Sequence, residues 1–265
     1  IAKIFKGQWR DAFGVLSGTA KSYTWNVQKI KAVLNQHMLP SHAEDPNPED
    51  LRNSAATAYR LVTGEEVELV HNVGRLEQLL ASDATLRGDT EGVVAVDCEG
   101  VPDTLCLLQL ATQERVLVLD GIKLGQETMC QLLTPLLTSK KTVKLVHDLH
   151  KDAAALATIG GVKMSNCFDS QLAMELISRT LHMGFNEMLK QLGSTLHPSK
   201  LAMKDRMASD SSRSIFSQRP LPREVIEYAA MDVTLLLNVH KRYRHLPDLS
   251  ACFASQCTQN HLVKT

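Results

Sequence analysis

The chain has 265 residues, 44% of them apolar and 22% charged, which is enough apolar material for a large buried core. Its 29 basic and 29 acidic residues cancel, so a polyanion cannot be held by bulk charge and any basic surface has to be local. No apolar run reaches the roughly 18–20 residues of a spanning helix, so no membrane partner is expected.

In chain order, the first part is sparse. The first residue is Ile1 rather than Met, and the chain is expected to be a processed or trimmed fragment. TWNVQKIKAVLNQHM (24–38) places Val27, Ile30, Val33 and Leu34 at helical spacing, and PSHAEDPNPED (40–50) has the composition of a linker. Residues 1–65 carry no catalytic pattern and are expected to form an N-terminal extension that could dock a protein or ribonucleoprotein partner. Beyond residue 66, VELVHNV reads as a strand and GRLEQLLASD as a short helix. GVVAVDCEG (92–100), TLCLLQLAT (104–112) and RVLVLDG (115–121) are three apolar strands with short connections, the pattern of a meander. TMCQLLTPLLTS (128–139) predicts a helix broken or bent near Pro135. TVKLVHD (142–148) predicts a strand, and HKDAAALATIG (150–160) a helix ended by Gly160 and Gly161. NCFD (166–169) is a short strand entering the helix SQLAMELIS (170–178), and GFNEMLKQLG (184–193) is helical. Residues 194–219 read as polar and irregular. PREVIEYAAMDVTLLLNVHKRYRHL (222–246) predicts a long helix with Pro222 in its first turn. Strands followed by alternating helices and strands imply an α/β fold, a mixed sheet covered by helices. The main domain is expected over 66–248, with 249–265 as a tail.

Six cysteines (Cys98, Cys106, Cys130, Cys167, Cys252 and Cys257) form no CxxC pair, and most sit in apolar patterns. They read as reduced, buried thiols of an intracellular compartment, not as zinc ligands.

The chemistry lies in five residues. Asp97 and Glu99 are two apart on a strand and share a face. The run Val93–Val96 before them marks that strand as central, where paired carboxylates are costly unless something positive lies between them. Tyr228 and Asp232 are four apart on a helix and also share a face. Asp152 falls in the first turn of the helix that follows the strand TVKLVHD. Four carboxylates from separate elements can converge on one point, and such hard oxygen ligands suit Mg²⁺ or Mn²⁺. Two ions roughly 3.5–4 Å apart can clamp the attacking and leaving oxygens of a phosphodiester.

The ordered set resembles a known family. VDCEG is followed by LCLLQLAT, KLVHD, FDSQLA and then RPL before EYAAMDV. This is similar to the DEDD 3′–5′ exonucleases, in the tyrosine-containing subgroup with ribonuclease D, and within it to the eukaryotic Egalitarian-type proteins. The resemblance runs from about residue 66 to 245. It implies a ribonuclease H-like mixed sheet with flanking helices and removal of 3′-terminal nucleotides as 5′-monophosphates with two divalent ions. It implies that Asp97 bridges both ions, Glu99 and Asp232 complete the first site, Asp152 supports the second, and Tyr228 orients the attacking water. RNA is favoured over DNA on the resemblance alone, and a single strand would be held by backbone contacts and base stacking. Phe216 stands where relatives often carry Trp, and the connection GVPDT after Glu99 is short.

Other residues have plainer readings. Asp148 and Asp169 are expected to cap helices, and His147 and His150 to be structural. Lys200, Lys204, Arg206 and Arg213 are either a solvated loop or a phosphate-contacting rim, with Arg219 structural. The competing function is an RNA-binding adaptor or ribonucleoprotein subunit that keeps the fold without the catalysis.

Overall fold

A computed structural model describes residues 58–61, 64–100, 104–194, 196–209 and 212–244. The helix expected over 24–38, the linker, the C-terminal tail and positions 101–103 of the short loop lie outside them. Two units are distinguished: Ile1–His42 with Asn186–Leu196, and Ala43–Phe185 with His197–Thr265.

The larger unit opens with β1 (Ala58–Arg60) and β2 (Glu66–Val70), which pair antiparallel. The sheet therefore starts upstream of residue 66, where the regular pattern began. Helix α1 (Val73–Ser82) follows, its first turn capped by the Asn72 side chain, which accepts from the Arg75 amide. The meander is formed by β3 (Gly92–Glu99), β4 (Leu107–Ala111) and β5 (Val116–Asp120), all antiparallel neighbours. A short helix α2 (Gly121–Leu124) leads into α3 (Gln126–Leu137). Of the break or bend expected near Pro135, the break is absent: the helix runs past it to Leu137. A proline that close to the C-terminal end costs little of the ladder, and Thr138 still donates to the Thr134 carbonyl.

Strand β6 (Thr142–Val146) pairs parallel with β3. Helix α4 (Leu149–Gly160) follows and ends at Gly161, whose φ of 65° is the left-handed conformation glycine takes freely. Strand β7 (Cys167–Asp169) pairs parallel with β6 and enters α5 (Ser170–Ser178). The sheet order is β1-β2-β5-β4-β3-β6-β7, which puts β3 inside the sheet between an antiparallel and a parallel neighbour. This is the mixed sheet anticipated above.

In the smaller unit, the described residues lie mostly in α6 (Phe185–Gln191), which closes with Gly193 donating to the Lys190 carbonyl. In the larger unit, the stretch expected to be irregular holds two helices, α7 (Pro198–Ser209) and α8 (Ser212–Ser217). Pro198 at the start of α7 is where proline is tolerated. The long helix α9 (Arg223–Tyr243) completes the described chain.

Alternation along β3 divides the core. Val94, Val96 and Cys98 join a cluster with Leu108, Leu110, Leu117 and Leu119 of the sheet, Leu76 and Leu79 of α1, Met129, Leu133 and Leu136 of α3, and Leu156 of α4. Each buried leucine there contributes about 1.5–3 kcal/mol. Ala95, Asp97 and Glu99 point to the other face, and α9 packs against β3, β4 and β5. Helices thus cover both faces, and the acidic pair faces α9.

Candidate active site

Asp97 and Glu99 on β3 and Asp232 on α9 each offer a carboxylate oxygen, all within 4.8 Å of one another. An octahedral cation of about 2.1 Å bond length holds its oxygen ligands at most about 4.2 Å apart, so a small inward shift of these side chains brings all three onto one ion. The donor set therefore fits a hard divalent ion. Asp152, in the first turn of α4, lines a cavity of about 250 Å³ together with Asp97 and Glu99. Its charge acts on both of them. Gly100 ends the strand at φ 90°, and a Cβ there would lie 2.6 Å from both Cys106 Sγ and the Thr104 carbonyl, so only glycine lets the chain leave the site by this route.

Burial raises every one of these acids. Asp97 and Glu99 are pushed well above the ordinary range, first by desolvation and then by their acidic neighbours. Desolvation also raises Asp232, which is 8% exposed, with Lys200 opposing it. Asp152 is pushed up to about 7 by burial and by the charges of Asp148 and Asp169. A set of acids held this far from water and this close together is a high-energy arrangement without positive charge among them.

Tyr228 lies one turn before Asp232 and hydrogen-bonds to it through its hydroxyl. Burial and the surrounding carboxylates push its phenol upward, so the hydroxyl stays protonated. Its ring packs at 6.4 Å from that of Phe216, which is buried. An aromatic thus supports the tyrosine from α8, as the sequence suggested.

The entry to α4 is built differently from expectation. Asp148 occupies the cap position in a left-handed conformation, φ 61°, and its side chain makes no capping hydrogen bond. Asp169, at the end of the adjacent strand, accepts from the Asp148 and Leu149 amides at 3.1 and 2.9 Å. The same carboxylate accepts from the Gln171 amide and caps its own helix, α5. One side chain therefore fixes two helix starts, including the one that carries Asp152.

His147 lines the cavity, yet both of its nitrogens are engaged, Nδ1 with Ser170 Oγ and Nε2 with the Met183 carbonyl, each at 2.9 Å. Burial lowers its pKa. This is the anchoring role the sequence assigned it. Arg219 is equally structural, forming two 2.7 Å bonds to Asp120.

The basic cluster is not one surface. Lys200 is 1% exposed, and its ammonium bonds Asp232 instead of reaching the surface as part of a phosphate rim. Arg206 is exposed and pairs with Glu224 at 2.8 Å. The side chains of Lys204 and Arg213 lie outside the described residues. Residues not singled out from sequence also belong here. Lys151 is an exposed cation at the cavity, beside Asp152. Gln109 sits across the ladder from Asp97, fully buried, with no protein partner for its carboxamide among the described residues. For Lys200 a signal existed: Pro198 opening a helix, with Lys200, Met203 and Met207 at one-face spacing.

Comparison with known proteins gives the context of this geometry. A family model described as 3′–5′ exonuclease matches residues 71–245. Mouse piRNA biogenesis protein EXD1 is 26% identical over 245 residues, covering 86% of this chain and 42% of that protein. Ribonuclease D of Xanthomonas oryzae pv. oryzae is 29% identical over 136 residues, 51% of this chain and 34% of that protein. The chain thus spans less than half the length of either relative. The crystal structure of Trypanosoma brucei RNase D in complex with GMP matches with a TM-score of 0.60 at 21% identity, over 75% of this chain and 65% of that one. That likeness is one of fold, the ribonuclease H-like mixed sheet.

Proposed function

Because the chain belongs to the 3′–5′ exonuclease family, we propose that it removes nucleotides from the 3′ end of single-stranded nucleic acid, RNA in preference to DNA. The observation that carries this reading is the approach of Asp97, Glu99 and Asp232 oxygens to within 4.8 Å of one another. Acids raised this strongly by burial are stable as carboxylates only around added positive charge. Bound Mg²⁺ or Mn²⁺, two ions in all, supplies that charge, activates water and stabilises the attacking and leaving oxygens.

In this reading Asp97, Glu99, Asp232 and Asp152 would hold the ions, Asp97 shared between them, Glu99 and Asp232 serving one and Asp152 the other. Tyr228 positions the attacking water: its phenol, held protonated by burial, is a donor and not a base. Lys151 at the cavity supplies a cation for the substrate's backbone. The preference for RNA takes its support from the relatives, a ribonuclease D and a piRNA biogenesis protein. We assign the domain to about 66–248, with the strand at Ala58–Arg60 added to its sheet, and a protein-docking role to the preceding segment. A reducing intracellular compartment accords with Cys98, Cys106 and Cys130, all buried and unpaired in disulfides.

The experiment is degradation of a single-stranded oligonucleotide with Mn²⁺, read as release of nucleoside 5′-monophosphates, and repeated with Asp97→Asn. Stepwise shortening from the 3′ end by the unsubstituted chain alone supports the assignment. One observation favours a second reading, an RNA-binding adaptor: Lys200 already neutralises part of the cluster through Asp232. Tight RNA binding without degradation, unchanged by Asp97→Asn, would select the adaptor.

A further inference from the structure

Lys200 stands in the first full turn of α7, on a helix whose sequence is half polar. Lysines on such helices normally extend into solvent. This one is buried, bonds Asp232, and places its ammonium 4.4 Å from the Tyr228 ring centroid and 5.5 Å from that of Phe185. Its charge is felt by Asp97 and Glu99 as well as by Asp232. It therefore serves all three carboxylates that could hold an ion, although it touches one.

We propose that Lys200 is a resident counter-cation of this cluster, competing with divalent ions for Asp232 and withdrawing when they bind; the inference rests on the metal-dependent reading above. An ammonium donates into carboxylate lone pairs that a cation would also use, so the two compete for Asp232. A divalent ion on Glu99 and Asp97 also repels an ammonium a few ångströms away in a poorly solvated site. The two occupants thus oppose each other chiefly by charge. Lysine suits this role: a compact charge on a flexible stem can leave without dismantling its helix. Two arrangements result. In one, α7 closes the cluster with its own cation and the buried acids are partly compensated. In the other, the ammonium is withdrawn and the acids are free to ligate. The apparent affinity for the ion is then the intrinsic affinity reduced by the fraction of molecules in the withdrawn arrangement.

The test is Mn²⁺ binding by isothermal titration calorimetry on the full 265-residue chain, without nucleic acid, for the unsubstituted protein and Lys200→Met. If the closed arrangement dominates, the variant binds Mn²⁺ at least about tenfold more tightly. In EDTA it melts at a lower temperature than the unsubstituted protein, because the acids have lost their counter-charge, and Mn²⁺ reverses that order. Equal or weaker Mn²⁺ affinity in the variant overturns the inference. A second measurement needs no substitution: reductive methylation read by mass spectrometry. Lys200 should be protected in EDTA and reactive in Mn²⁺, and equal protection in both would sink the idea. If Mn²⁺ binds to neither protein, this inference and the metal-dependent reading fail together; if it binds equally to both, only this inference fails.

Discussion

Two buried acid–cation pairs among the described residues, Arg219 with Asp120 and Lys200 with Asp232, are built to opposite ends. Asp120 is bound on all sides: two bonds from Arg219 at 2.7 Å and two helix-start amides, Ile122 and Lys123, at 3.1 Å. Arg219 in turn donates to the Phe216, Gln218 and Cys106 carbonyls. Every guanidinium proton has a use and both carboxylate oxygens accept, so the pair fixes the end of β5 against the chain leaving α8. Asp232 has a lysine in place of the planar fork, and three further acids around it. One ammonium cannot satisfy them, and burial raises them all. A saturated ion pair locks a structure; an unsaturated one leaves a site that another cation can complete.

Substitutions should separate the two kinds. Asp97→Asn should reduce exonuclease turnover by about a thousandfold or more, measured as monophosphate release, while leaving the fold intact, because it removes an ion ligand and relieves repulsion. Arg219→Met should do the reverse, lowering stability by about 3 kcal/mol in urea denaturation, since Asp120 is left buried without its cation. A loss below about 1 kcal/mol would show that the two amides suffice. Tyr228→Phe should slow turnover by roughly tenfold to a thousandfold with an unchanged denaturation midpoint, if its hydroxyl acts on water and not on packing. Asp169→Ala should cost about 1–2 kcal/mol of stability, as two helix starts lose a cap, and should weaken activity through the displaced Asp152. Arg206→Ala, breaking a pair about half exposed on both sides, should change stability by less than about 1 kcal/mol.

Local periodicity carried much of this architecture into the sequence. The strands of the meander are apolar runs with turn residues between them, and β3 to β5 lie where the pattern put them. Asp97 with Glu99 and Tyr228 with Asp232 each share a face because their spacings are those of a strand and a helix, and the structure brings three of the four carboxylates within reach of one another. What escaped was decided by distant partners. Helices α7 and α8 hide in a polar stretch because one of the residues burying α7 is a lysine, whose burial depends on Asp232, 32 positions away. The cap of α4 comes from Asp169, 20 residues beyond Leu149 in the chain and adjacent only through the β6–β7 pairing. No window along the chain displays either relation.

The alternation of β3 has a consequence for how this protein can change. Val96 and Cys98 face the packed core while Asp97 and Glu99 face the cavity. A single residue inserted upstream within that strand would exchange the two sets, sending acids into oil and valine into the acidic cavity. Length in this segment is therefore constrained as parity. Divergence can rewrite its letters or lengthen the loops around it, but it cannot move the reading frame of the strand by one.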